Sequence, residues 1–242
     1  MTKPTKIAVG IGAAGVTCAL LAACATGPTR LLGSWTAGAC AISCGAYLGN
    51  RPAWLGKRAG RLSWRALVVL PYLVAFRIAV ALMRTWRGRD APGRVAPGLW
   101  VGGRIAVDTV PPGATMIVDL VAEYGAPRRV RRHPGYRSLP VLDGGVPPHA
   151  DAFLDLVQEI ATARGEVLVH CDSGRGRAPT LAAAVLIARG LARDIEEAVA
   201  RVAAARPVAA PTGSDLRFLA AVLPRLRDLA RVANTLALEA SP

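Results

Sequence analysis

The stretch Val167–Thr180, VLVHCDSGRGRAPT, constrains this chain most. Its valine-rich opening, Val167 to Val169, is apolar and short enough to be a buried strand. Pro179, of a type favoured in the first turn of a helix, precedes the apolar run Leu181–Ala188. A strand that turns through a glycine-rich loop into a helix points backbone N–H groups inward, above the positive end of the helix dipole. Gly174 and Gly176 let such a loop take positive φ and close tightly. Arg177 can fork two N–H groups onto a phosphate-like dianion. Cys171 stands at the mouth of this cradle, an electropositive setting that favours a thiolate. A thiolate held beneath a bound dianion can attack phosphorus.

Cys171, five intervening residues and Arg177, with His170 in front, resemble the signature of the cysteine-dependent protein tyrosine phosphatase superfamily. The dual-specificity branch is the nearest match, over roughly Val95 to Leu229. The resemblance implies an α/β, dual-specificity phosphatase-like domain, with a central sheet flanked by helices. It implies hydrolysis of a phosphomonoester through a phosphocysteine intermediate, without cofactor or metal. Cys171 and Arg177 are then catalytic, and Asp172, Ser173, Gly174, Arg175, Gly176 and Arg177 form the phosphate-binding loop. His170 supports the cysteine and its loop.

The same resemblance brings in Asp143, 28 residues before Cys171 in the setting Pro140-Val-Leu-Asp143, where the family carries its general acid. The chemistry needs a proton for the leaving oxygen and then a base for the attacking water. An aspartate before Gly144-Gly145 is also a common turn residue. One departure stands out. The family normally has Ser or Thr after the arginine, to help the thiolate leave, and this chain has Ala178. Slower breakdown of the phosphocysteine is the expectation.

Charge divides the chain. Twelve of the thirty Lys and Arg, and none of the sixteen acids, lie in residues 1–89, so +12 of the net +14 belongs there. A strongly basic chain often binds nucleic acid. Here the charge flanks apolar runs, so an anionic membrane surface is the expected partner and nucleic acid is not. The run Ile7–Thr26 has twenty residues, enough at about 1.5 Å each to cross a core of about 30 Å. After a turn at Gly27–Arg30, a second run spans Leu31–Gly49, and small residues suit the two to a tight hairpin. Basic residues from Arg51 to Arg65 follow, then a third apolar helix over 66–83 interrupted by Pro71 and Arg77, which spans or lies in the interface. Trp54, Trp64 and Trp86 fall where interfacial aromatics belong.

The expected organisation is therefore a membrane region over 1–89, a linker over 90–97 and a phosphatase domain over 98–235. The expected location is the cell membrane, multi-pass or hairpin-anchored, with the catalytic domain cytoplasmic because a thiolate needs a reducing compartment. Cys18, Cys24, Cys40 and Cys44 read as small packing residues, although Leu21–Cys24 resembles a bacterial lipoprotein cleavage box.

Within the domain, strands are expected at Gly98–Gly102, Thr115–Val121, Tyr136–Val141 and Glu166–Val169, and helices at Pro148–Arg164 and Thr180–Arg189. Asp194 and Glu197 form a capping box, and a last helix opens at Ser214 with Pro224 inside it. Asp119 and Glu123 read as solvated strand-end acids, and His133 and His149 as surface residues. Arg128, Arg129, Arg131, Arg132 and Arg137 form either a basic rim to a cleft or a solvated edge. Asp172 disfavours highly phosphorylated inositol rings, so the expected substrate is a phosphorylated protein or a simple phospholipid headgroup such as a phosphatidylglycerol phosphate. Two other readings stand beside the phosphatase. One is a catalytically weak or inactive phosphate-binding module at the membrane; the other is a sulfur-transfer enzyme, in which Asp143 and Arg177 have no obvious task.

Overall fold

The computed structural model describes residues 2–87, 91–104 and 110–239. The chain forms two compact units. One comprises Met1–Arg89, Val121–Ala126 and Pro140–Pro148, and the other comprises Asp90–Leu120, Pro127–Leu139 and His149–Pro242.

The first unit is led by helices α1 (Lys3–Cys24) and α2 (Gly27–Leu48), packed as an antiparallel hairpin. Ala8, Gly15 and Ala22 recur every seven residues along α1 and are buried, so the seam is built of small residues. A Cβ on Gly15 would come within 2.8 Å of the Cys40 Cβ, and one on Gly33 within 2.8 Å of the Ala22 Cβ. The expected turn at Gly27–Arg30 is instead the first turn of α2, since Pro28 sits where a missing N–H costs no helical bond. The outer faces expose Val16, Leu20, Leu21, Leu31 and Leu32. Both helices, 22 residues each with mean hydropathy 2.2 and 1.2, are long and apolar enough to cross a membrane.

After α2 come a two-residue hairpin, β1 (Lys57–Arg58) and β2 (Arg61–Leu62), a 3-10 turn at Trp64–Leu67, and α3 (Leu70–Arg87). The third apolar run is thus not one helix over 66–83. Its apolar helical part, Leu70–Met83, falls short of the two long helices in length. It buries Tyr72 and Leu73, while Val74, Ile78 and Leu82, each four apart, line an exposed face. Ala46, Tyr47, Leu55, Val69, Tyr72 and Leu73 pack into one cluster with Ala122 and Leu142. The side chain of Trp86 and the linker residues 88–90 lie outside the described residues.

The second unit carries a five-stranded sheet in the order β3-β4-β7-β5-β6. Its strands are β3 (Gly93–Ala96), β4 (Leu99–Gly102), β5 (Ala114–Val121), β6 (Tyr136–Val141) and β7 (Glu166–His170). Part of the expected linker is therefore strand β3, antiparallel to β4. β7 is central and parallel to both β4 and β5. Its residues alternate between faces: Val167 and Val169 enter the large core, and Leu168 enters a small cluster with Ile117 and Val130. The large core is closed by α5 (Ala150–Thr162), α6 (Arg177–Ala188), α7 (Ile195–Ala205) and α8 (Gly213–Glu239), with Phe153 set edge-on to Phe218. The other face is met by the short α4 (Arg128–Arg131), which supplies Val130. Asp194 caps α7 by accepting from the Glu197 N–H, and Glu197 reaches back to the Arg193 N–H.

Candidate active site

β7 delivers Cys171 at its C-terminal end, and α6 begins six residues later at Arg177. Gly174 alone in this loop has positive φ, +67°; Gly176, at −114°, does not need it. A Cβ on Gly174 would lie 2.7 Å from backbone atoms of Gly102 and Gly103, so no other residue fits. Cys171 is buried, and its Sγ accepts the Gly174 N–H at 3.2 Å, which turns it toward the loop rather than away.

The loop's carbonyls explain its orientation. Asp172 C=O accepts from the Arg104 N–H (2.7 Å), and Arg175 C=O from the Ala210 N–H (2.7 Å). Ser173 C=O and Gly174 C=O accept from Arg206 NH2 (3.2 Å) and Nε (3.0 Å). Gly176 C=O accepts from both the N–H and the hydroxyl of Thr180, each at 2.9 Å. All five carbonyls from 172 to 176 thus have donors outside the loop. In trans peptides the N–H points opposite to the C=O, so the N–H groups of 173 to 177 turn away from those donors, and that of Gly174 meets Sγ. Arg177 is itself buried at the first turn of α6.

Arg206 was not singled out by sequence reasoning. It is 3% exposed, and its third donor, NH1, bonds the Ala91 carbonyl at 2.7 Å. The available signal was a basic residue at a helix end before Pro207, in a place where arginine is ordinarily solvated.

Beneath the loop, His170 and Asp119 are register partners on β7 and β5. His170 Nδ1 lies 3.4 Å from the Cys171 carbonyl, and Nε2 lies 3.9 Å from Asp119 Oδ1. Tyr136 donates to Asp119 Oδ2 at 2.8 Å. Burial, then the adjacent Asp119 charge, pushes the Tyr136 phenol above its usual range. Asp119 and Glu123 are thus not solvated strand ends: both are buried, Asp119 accepting from the Tyr136 hydroxyl and Glu123 from the Tyr47 hydroxyl and the Asp143 N–H. His133 is not a free surface residue either. Its Nε2 meets the Ala114 carbonyl and its Nδ1 accepts the Gly135 N–H. In the basic stretch, Arg137 pairs with Glu159 across exposed surface.

Asp143 belongs to the first unit, in the segment 140–148. It sits on a turn closed by the Gly145 N–H on the Leu142 carbonyl, with Gly144 at φ +71°. Its carboxylate meets Lys3 Nζ at 3.3 Å, and its N–H donates to Glu123 Oε1 at 2.6 Å.

Residues 113–222 match the family model described as Swiss Army Knife protein, DSP-PTPase phosphatase domain. Over that stretch the chain is similar to the phosphatase domain of dual-specificity phosphatases. The Arabidopsis thaliana dual specificity protein phosphatase 1 is 26% identical over 146 residues, which cover 58% of this chain and 73% of that protein. The crystal structure of DUSP15 superposes with a TM-score of 0.53 at 22% identity, covering 60% of this chain and 96% of that one, and so shares the fold.

Proposed function

We propose that the protein is a membrane-held, cysteine-dependent phosphomonoesterase. One observation carries this. Every carbonyl of the loop 172–176 is bonded outward, while Cys171 Sγ receives an N–H from the loop's inner side. A loop whose carbonyls face outward and whose Gly174 N–H meets the sulfur, beside a buried arginine, suits a dianion and disfavours a neutral ligand.

The thiolate attacks phosphorus, forming S–P as the ester P–O bond breaks. Asp143 gives its proton to the leaving oxygen, and Arg177 with the loop N–H groups holds the equatorial oxygens. Water then attacks phosphorus, Asp143 takes its proton, S–P breaks, and inorganic phosphate leaves. Substrates are phosphorylated proteins or a phospholipid headgroup with a single monoester, because Asp172 adds negative charge beside the nucleophile. The α1–α2 hairpin is the anchor. Lys3 at its start and Asn50 just past its end both bond the segment 140–148, so both open ends lie at one level and the Ala25–Thr26 turn lies far from it. That arrangement favours a hairpin that enters and returns, with α3 and its exposed Val74, Ile78 and Leu82 lying along an anionic interface. The catalytic part then faces the cytoplasm, where thiols stay reduced.

The test is hydrolysis of 4-nitrophenyl phosphate and of phosphopeptide and phospholipid panels by the full chain in detergent. Cys171→Ser abolishes turnover of all of them, and Asp143→Asn slows that of the phosphopeptides and phospholipids, whose leaving oxygens need the proton, about 10²–10⁴-fold. Turnover that survives Cys171→Ser refutes the assignment. A second reading, a phosphate-binding module with little turnover, draws on Ala178. It offers no hydroxyl, and the Thr180 hydroxyl is committed to the Gly176 carbonyl. Binding of phosphate by both wild type and Cys171→Ser, with hydrolysis by neither, would favour it. In the enzyme, Ala178→Ser speeds phosphocysteine breakdown and shrinks the product burst seen on rapid mixing.

A further inference from the structure

The turn that carries Asp143 is held by residues from the other end of the chain. Glu123, fully buried, accepts from two donors at one oxygen, Oε1: the Asp143 N–H at 2.6 Å and the Tyr47 hydroxyl at 3.0 Å. Tyr47 lies in the last turn of α2 and is itself bonded by the Tyr72 hydroxyl at 3.1 Å. Asn50, two residues beyond α2, donates its side-chain amide to the Val146 carbonyl at 3.1 Å. Leu142, one residue before Asp143, is buried in the cluster that holds Ala46, Tyr47 and Leu55. Lys3 meets the Asp143 carboxylate and lies over Gly144, where a Cβ would touch its chain at 2.7 Å. These partners fix the turn on its N-terminal side, at its main chain and on its C-terminal side.

A tether needs none of this. A membrane hairpin could be joined to an enzyme by a flexible linker and leave the acid's turn to itself. Here a buried carboxylate accepts a backbone N–H of that turn, and it also accepts a hydroxyl from the hairpin. Burying a carboxylate is costly unless it is fully hydrogen-bonded, so the Tyr47 hydroxyl is part of what keeps Glu123 in place. The Lys3 pair is more exposed, at 51% and 30%, and solvent screens it, so Tyr47, Glu123 and Asn50 matter most.

We propose that the open end of the hairpin places the acid: Tyr47, acting through Glu123, and Asn50, acting through Val146, are positioning residues for proton donation by Asp143. This rests on the assignment of Asp143 as general acid. It makes the anchor a determinant of kcat.

The experiment uses the full chain in detergent micelles and compares two substrates. Phenyl phosphate expels phenolate, a poor leaving group that needs the proton, and 4-nitrophenyl phosphate expels nitrophenolate, which needs it far less. Tyr47→Phe and Glu123→Ala lower kcat on phenyl phosphate about tenfold, a fraction of what a general acid contributes, and on 4-nitrophenyl phosphate less than about threefold, with KM unchanged. Asn50→Ala shows the same bias. Glu123→Gln, whose amide oxygen still accepts both donors, restores most of the phenyl phosphate rate. Equal losses on the two substrates, or none, overturn the inference. Asp143→Asn is the reference. If it lacks the bias, the assignment of the acid fails; if it has the bias and the other variants lack it, only the positioning role fails. Should Glu123→Ala not fold, Tyr47→Phe, which removes one hydroxyl, decides.

Discussion

At the scale of single residues, the loop shows how local signal and distant support differ. Cys171, Gly174 and Arg177 stand out in the sequence because they fall in one short stretch, and the strand before it and the helix after it are where that stretch implies. Arg206 does not, because its meaning lies in two carbonyls more than thirty residues away. Asp119 and Glu123 were misread as solvated for the same reason: burial of a carboxylate is decided by partners that the local sequence does not name. Arg206 makes a direct prediction. Each hydrogen bond from a charged donor contributes about 1.5–3 kcal/mol, and Arg206→Ala releases both Ser173 and Gly174 carbonyls. A net loss of about 2–3 kcal/mol in transition-state binding lowers kcat/KM roughly 30- to 150-fold, with vanadate affinity falling in parallel. Arg206→Lys does not rescue it, since one ammonium cannot fork across three carbonyls. Unchanged vanadate binding would show that the loop holds its shape without this residue.

At the scale of elements, short apolar runs, helical periodicity and caps carried the domain. β7 follows its unbroken apolar run and α5 its helical period, and Asp194 caps α7 as its spacing implies. The errors fell where helix grammar was overridden: Pro28 starts α2 instead of a turn, and β3 formed in a stretch that composition marked as linker. Two elements yield tests. In the hairpin, Gly33→Leu drives a side chain into Ala22, parts the helices, and exposes Cys40 to maleimide in detergent, read at that residue by mass spectrometry. In the sheet, Tyr136 on β6 has its phenol pushed up by burial and by Asp119. A raised folded value means its contribution to stability is complete below the unfolded phenol pKa of about 10 and is lost as pH climbs beyond it. Urea unfolding between about pH 8 and 11 therefore shows a loss of stability on the alkaline side, and Tyr136→Phe flattens it. An identical alkaline slope in the variant would assign the loss to another group.

At the scale of the whole molecule, the division of labour implied by composition is incomplete. The charge boundary near residue 90 suggests that a catalytic part could be cut free of its anchor. Yet 121–126 and 140–148, which follow β5 and contain the end of β6, cluster with residues 1–89. Removing residues 1–92 strips Ala46, Tyr47 and Leu55 from around Ala122 and Leu142. It also takes the Tyr47 hydroxyl from Glu123 and the Lys57 ammonium from the Val121 carbonyl. Re-exposing one leucine and leaving one buried carboxylate short of a donor costs about 3–5 kcal/mol. For a chain of this size that lowers Tm by roughly 6–20 °C. A tether whose only task is attachment predicts something different: an untouched Tm and an untouched ratio of phenyl to 4-nitrophenyl phosphate turnover. Calorimetry and kinetics on the truncated protein beside the full chain separate the two. A lower Tm together with a collapsed ratio means that the N-terminal hairpin also completes the machinery that protonates the leaving group.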